Sequence, residues 1–248
     1  HDVARSESMQ ITSGDHDEAL PAWSPDGKQI AYVTRRGGEP DRHSNFDIYL
    51  VEPRAGATER RLTTFDGADN DPDLESPISW SPDGRQIAFV QGGEDKWIYY
   101  APHQLAIVDV ATGRTRLPAP IDRWFTQPRW SPDGRSVLAL IEQSRVINLS
   151  RIEVASGKVT PLTTGPRYDA GFAVSKQGRI VVLGGDDVTP YELAALENGG
   201  LRPLGLHNEW LARKKLVRFD DIRFRSADGT TIDGFVVKPP DYVPGRRY

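Results

Sequence analysis

Five histidines, His1, His16, His43, His103 and His207, are the side chains able to move a proton near neutral pH. A serine nucleophile would need one of them held by an acid, and a serine raised on the strained Gly-x-Ser-x-Gly turn. No such pentapeptide occurs, and all five histidines fall in polar stretches or near an end. The sequence therefore predicts no catalytic residue within this chain. Cysteine is absent, which removes disulfides and thiolate metal sites. Two acidic runs stand out, Asp15-His16-Asp17-Glu18 and the stretch from Asp66 to Asp73 with Glu75. Neither has the alternating ligands and central glycine of a calcium loop, so both are read as solvated loops, with no metal or other cofactor expected. Binding chemistry is better represented. Arg123-Trp124-Phe125 and Arg167-Tyr168-Asp169 each set an arginine beside an aromatic ring, a pairing that holds a peptide by stacking and a carboxylate contact. Arg123, Trp124 and Tyr168 are the candidate substrate-binding residues. The plainer alternative packs Trp124 and Phe125 between sheets.

The elements that must position these residues are announced by a repeated pentapeptide. Trp-Ser-Pro-Asp-Gly occurs at Trp23, Trp80 and Trp130, with a worn copy at Val174-Ser175-Lys176-Gln177-Gly178. Proline presets φ for the second position of a type I turn, aspartate suits the third, and glycine supplies φ > 0 next. Each copy runs into an apolar strand such as Ile30-Ala31-Tyr32-Val33 or Ile87-Ala88-Phe89-Val90. The tryptophan ends the incoming strand, where its ring is expected to fill the space between neighbouring sheets.

In chain order, every unit reads as four strands: one entering the turn, one leaving it, one of the Ile48-Tyr49-Leu50-Val51 kind, and one ending in Leu-Thr or its worn equivalent. Equivalent positions lie 57, 50 and 44 residues apart, as loop insertions on a constant four-stranded sheet would give. The fold class is all-β, a partial β-propeller of four-stranded antiparallel blades, over residues 1–206. The channel-side loops precede each turn motif, which places Arg123-Trp124 and Tyr168 at the channel mouth. Residues 207–219 read as a linker with a short helix capped by Asn208. A hairpin turning at Ser226-Ala227-Asp228-Gly229 follows. Four units are too few for a closed ring, so an open arc with exposed blade faces, prone to homo-oligomerise, is expected.

Composition narrows the partners. The chain has 38% hydrophobic and 27% charged residues and a formal charge of −4, with the signs interspersed. No basic stripe with interleaved aromatics points to nucleic acid, and no apolar run approaches the roughly 20 residues that span a bilayer. A cytoplasmic location fits the missing cysteine, and a periplasmic one fits it too.

From Phe224 through Asp228-Gly229-Thr230-Thr231-Ile232-Asp233-Gly234 to Pro239-Pro240 the sequence resembles the start of the α/β-hydrolase domain in the prolyl oligopeptidase family. With the turn repeats upstream, it is most similar to the acylaminoacyl-peptidase-like branch. The turn repeats by themselves also resemble TolB-like propellers. The resemblance implies that residues 1–206 are later blades of a propeller that gates a serine peptidase of short peptides. Residues 220–248 would then be the first hairpin of a truncated catalytic domain, an α/β-hydrolase partner in the same parent chain that carries the catalytic triad. No Glu-Glu pair of the kind a dipeptidyl peptidase uses is found, which tilts the reading towards the acylaminoacyl or oligopeptidase type. The rival is a stand-alone TolB-like scaffold for protein partners. A sugar-active propeller, needing paired carboxylates across a channel, ranks last.

Overall fold

A computed structural model describes residues 7–39, 42–97 and 100–248; His1 lies outside the described residues. The first blade is β1 (Glu18–Trp23), β2 (Ile30–Thr34), β3 (Asp47–Val51) and β4 (Arg60–Arg61), paired in that order. In the second, the entering strand is split into β5 (Gly67–Asp69) and β6 (Ser79–Trp80), and both pieces pair with β7 (Gln86–Glu94). Then come β8 (Gln104–Asp109) and β9 (Thr115–Arg116). The third is β10 (Phe125–Trp130), β11 (Ser136–Gln143), β12 (Val146–Glu153) and β13 (Val159–Pro161). The fourth is β14 (Tyr168–Val174), β15 (Ile180–Gly185), β16 (Glu192–Glu197) and β17 (Gly200–Pro203). A separate two-stranded sheet, β18 (Asp220–Arg225) with β19 (Thr231–Val236), closes the chain. First strands of successive blades touch, β1 with β6 and β6 with β10, as innermost strands around a common axis must.

Local chemistry builds each turn. Ser24 O accepts from Gly27 N at 2.9 Å, the Ser24 hydroxyl donates to Asp26 Oδ1 at 2.8 Å and accepts from Gln29 N at 2.9 Å. The same set recurs at Ser81/Asp83 and Ser131/Asp133, with Gly27, Gly84 and Gly134 at φ 70, 69 and 67. Those φ values are the left-handed region that glycine occupies without steric cost.

Both faces of the middle sheets are covered, so their strands are apolar throughout rather than alternating. Ile87 and Phe89 of β7 pack back on Val33, Ile48 and Leu50, while Ala88 of the same strand packs forward with Phe125, Val137 and Ile152. Leu138, Leu140 and Leu149 meet Ile180 and Val182 in the next layer. Trp80 and Trp130 fill the gaps between sheets, and Trp80 Nε1 donates to Ala22 O at 3.0 Å. Trp23 departs from the expectation, being 59% exposed. Trp80 and Trp130 each pack on the blade before, and among the described residues no sheet lies on that side of the first blade. The far face of the fourth blade is likewise open, with Leu183 and Leu193 exposed.

The expected helix is a single 3-10 turn, Glu209–Arg213, and Asn208 does not cap it. Its amide instead donates, through both backbone N and Nδ2, to Glu192 Oε1 at 3.1 and 3.3 Å, a tertiary contact that wins over the local one. Among the described residues no helix is long and apolar enough to cross a membrane.

Candidate substrate-facing site

The rim of the channel is built on one position per blade. In the four inner strands, Glu18, Asp69, Phe125 and Asp169 stand opposite Thr34, Gln91, Ile141 and Gly184 of the next strand. Each partner lies four residues beyond the one paired with the last residue of its inner strand, Ile30, Ile87, Val137 or Ile180, so the four residues are structural equivalents. Three are acids, and in the third blade the acid is replaced by a fully buried phenylalanine.

At the fourth blade the acid is consumed internally. Asp169 is 0% exposed; its Oδ1 accepts from Arg167 Nε at 2.6 Å and its Oδ2 from Leu149 N at 3.1 Å and from the Thr163 hydroxyl. Gly184 opposite leaves room for this pair, since a Cβ there would lie 2.5 Å from Arg167 Nη2 and 2.6 Å from Asp169 Oδ1 and would displace them. Arg167 is therefore committed through Nε to Asp169, although its side chain stays part-exposed. Arg123 occupies the same place relative to Phe125 that Arg167 occupies relative to Asp169. With no acid two residues on, it is exposed, and among the described residues no carboxylate pairs with it.

Trp124 is only part-exposed and stacks on His103, ring centroids 4.3 Å apart. His103 is buried, against the expectation of a polar loop, and burial lowers its pKa, with Asp71 opposing the shift. Tyr168 is 42% exposed and stacks on Tyr191 at 5.8 Å. Burial first, then Tyr191 and Glu142, raise the pKa of its hydroxyl. Arg123 and Trp124 adjoin each other, but Tyr168 is apart from them. Glu142 N donates to Trp124 O, Glu142 pairs with Ile147, and Ile147 bridges Tyr168. Exposed Glu142 thus lies between the two clusters along the pairing path, while lower down the same inner strands meet directly, Gln127 Nε2 donating to Ala170 O at 3.1 Å.

Beside Tyr168 lies a cleft of about 570 Å³, walled by Arg145 and Val146, by Gly165 and Pro166, and by Ile222 and Phe235 of the terminal hairpin.

No protein-family model matches the chain. It is 27% identical over 233 residues to dipeptidyl-peptidase 5 of Porphyromonas gingivalis, an alignment covering 92% of this chain and 33% of that protein. It is similar in fold to a solved acylaminoacyl peptidase in complex with Z-Gly-Gly-Phe-chloromethyl ketone: TM-score 0.68, 21% identity, 92% of this chain and 33% of that one. The Tol-Pal system protein TolB of Francisella tularensis is 25% identical over 210 residues, 67% of this chain and 45% of its own. The chain is similar in fold to the propeller portion of these peptidases. It spans about a third of the length of the peptidase relatives it matches.

Within this propeller, several contributors escaped sequence reasoning. His103, Glu142 and Tyr191 reach the rim only through pairing across strands. The acidic runs are not simply solvated either. His16 Nε2 lies 3.4 Å from Glu18, and Arg36 Nη1 holds the neighbouring Glu59 at 2.6 Å. Asp69 is fully buried, accepting from Gln91 Nε2 at 2.8 Å. The one available signal was spacing: Thr63 precedes Asp69, and Thr163 precedes Asp169, by the same six residues.

Burial raises the Asp69 carboxyl from 3.8 to about 6, against the Gln91 hydrogen bond that lowers it. The folded chain thus prefers it protonated. Its contribution is fully present below about pH 3.8 and is lost as pH rises through about 6. Asp69→Asn should flatten that fall, as read from urea midpoints between about pH 4 and pH 7; an unchanged slope would count against a buried, protonated Asp69.

Proposed function

We propose that this propeller gates a serine peptidase acting on short peptides, of the acylaminoacyl or oligopeptidase type, whose catalytic triad lies outside these residues. Arg123, Trp124 and Tyr168 take the substrate-facing role. The observation that carries the reading is the replacement of the rim acid by Phe125, which leaves Arg123 as a guanidinium at the channel mouth without a built-in counterion. A peptide carboxylate is the complementary group, and the part-exposed Trp124 offers its neighbour an apolar surface. Tyr168, on the inner strand of the next blade, contacts a different part of an extended peptide. The terminal hairpin is the start of the α/β-hydrolase partner, and residues 207–219 are the linker to it. The relative from Porphyromonas gingivalis bears a dipeptidyl-peptidase name, which agrees on peptides and leaves the end group to experiment. The open faces at Trp23 and Leu193 are the surfaces through which copies of the chain would associate. A TolB-like scaffold has no use for β18 and β19, which favours the peptidase.

The test compares this chain and the longer protein on a chromogenic short peptide. The expected result is turnover by the longer protein only; turnover by this chain alone sinks the proposal. In the longer protein, Arg123→Ala should raise KM roughly tenfold or more for peptides with a free C-terminal carboxylate, the scale of a hydrogen bond to a charged group, and spare amidated ones. Equal effects on both would remove Arg123 from substrate binding.

A further inference from the structure

The turn joining β11 to β12 is two residues long, Ser144-Arg145, with Ser144 at φ 57. So tight a connection fixes where Arg145 starts. Its side chain leaves the third blade and reaches two other units. Arg145 Nη1 lies 2.9 Å from Asp187 Oδ1 in the equivalent loop of the fourth blade, and Arg145 Nε donates to Asp221 on β18. The second oxygen of Asp187 accepts from Phe219 N at 3.1 Å, and the adjoining Asp186 takes Arg218 Nη2 at 2.9 Å. The Arg145 guanidinium sits 5.7 Å from the centre of the Phe219 ring, which stacks on Phe235 of β19 at 5.2 Å.

We propose that Arg145 is the pin of an ionic latch that holds the terminal hairpin against the channel-side loops of blades three and four and sets the width of the cleft between them. The two halves of the latch differ in character. The Asp187 side chain is 9% exposed and its pair with Arg145 belongs to the propeller, whereas Asp221 is 70% exposed. Screening by salt and competition from water act on the outer half first, so the latch opens at Asp221 while Arg145 stays moored to Asp187. Arg145 and Asp221 both line the 570 Å³ cleft, so parting them widens it. The latch itself rests on geometry alone; only its consequence, admission of peptide to the cleft, rests on the function proposed above.

Amide hydrogen exchange on the full chain tests it without any peptidase assay. Asp221→Asn should speed exchange in residues 220–236 about two- to fivefold at low salt, with blade amides unchanged. Arg145→Ala, which also strands Asp187, should speed it about tenfold or more. Raising salt to about 0.5 M should loosen the hairpin of the wild-type chain and have no further effect on Asp221→Asn. Because Asp221 is exposed, that variant keeps the test alive if Arg145→Ala does not fold. Unchanged hairpin exchange in Asp221→Asn, a salt response that persists in it, or acceleration spread evenly through all four blades would overturn the latch.

Discussion

Phe125→Ala should destabilise the chain by about 3–5 kcal/mol, the cost of emptying a large, fully buried aromatic site. Phe125 is 0% exposed and sits with Leu105, Ile107, Val137 and Ile141 in the layer between blades two and three. Its backbone is tied down by Phe125 N donating to His103 O at 2.9 Å, so the strand cannot easily collapse into the void. Equilibrium urea unfolding, followed by tryptophan fluorescence, gives the loss as a lowered midpoint at unchanged slope. Trp124→Ala is the matched control. It removes a ring stacked at the rim rather than a core wedge and should cost much less. Equal losses would mean that Trp124, not Phe125, holds the two blades together.

Asp169→Ala should cost a similar amount, about 3–5 kcal/mol, by a different route. The methyl group would leave Arg167 without its counterion and the Thr163 hydroxyl without its acceptor, and would take one of two acceptors from Leu149 N, at the junction of blades three and four. Leu149 N still has the Thr163 hydroxyl as an acceptor at 2.9 Å, so its loss is partial. Asp169→Asn keeps the shape and part of the hydrogen bonding, and should fall between wild type and Ala. Urea midpoints for the three proteins order the series; an Ala variant as stable as wild type would show that apolar packing alone closes this junction.

The turns and strands were legible because their causes are local. All bonds of the Ser24 turn lie within six residues, and proline, aspartate and glycine each carry a backbone preference wherever the chain goes. Accordingly β3, Asp47–Val51, covers the Ile48-Tyr49-Leu50-Val51 run read as a strand. The Leu-Thr endings had a cause the sequence did not announce: Thr63 and Thr163 hydroxyls accept from Ile48 N and Leu149 N, capping the neighbouring strand. Asn208 shows the limit of local reasoning, since a capping residue is only a cap when nothing more distant claims its amide.

By itself the sequence determined the repeated blade, its turns, the order of its strands and the hairpin that follows, because each depends on neighbours in the chain. Only the tertiary structure decided that Trp23 is exposed while Trp80 and Trp130 are buried, for that depends on whether a sheet lies behind the blade. It also decided which arginine is spent and which is open. Arg167 and Arg123 each stand beside an aromatic residue in sequence, yet Arg167 is held by the buried Asp169 while Arg123 turns back to the carbonyl of Asp122, because burial of the Asp169 position is set by packing between blades.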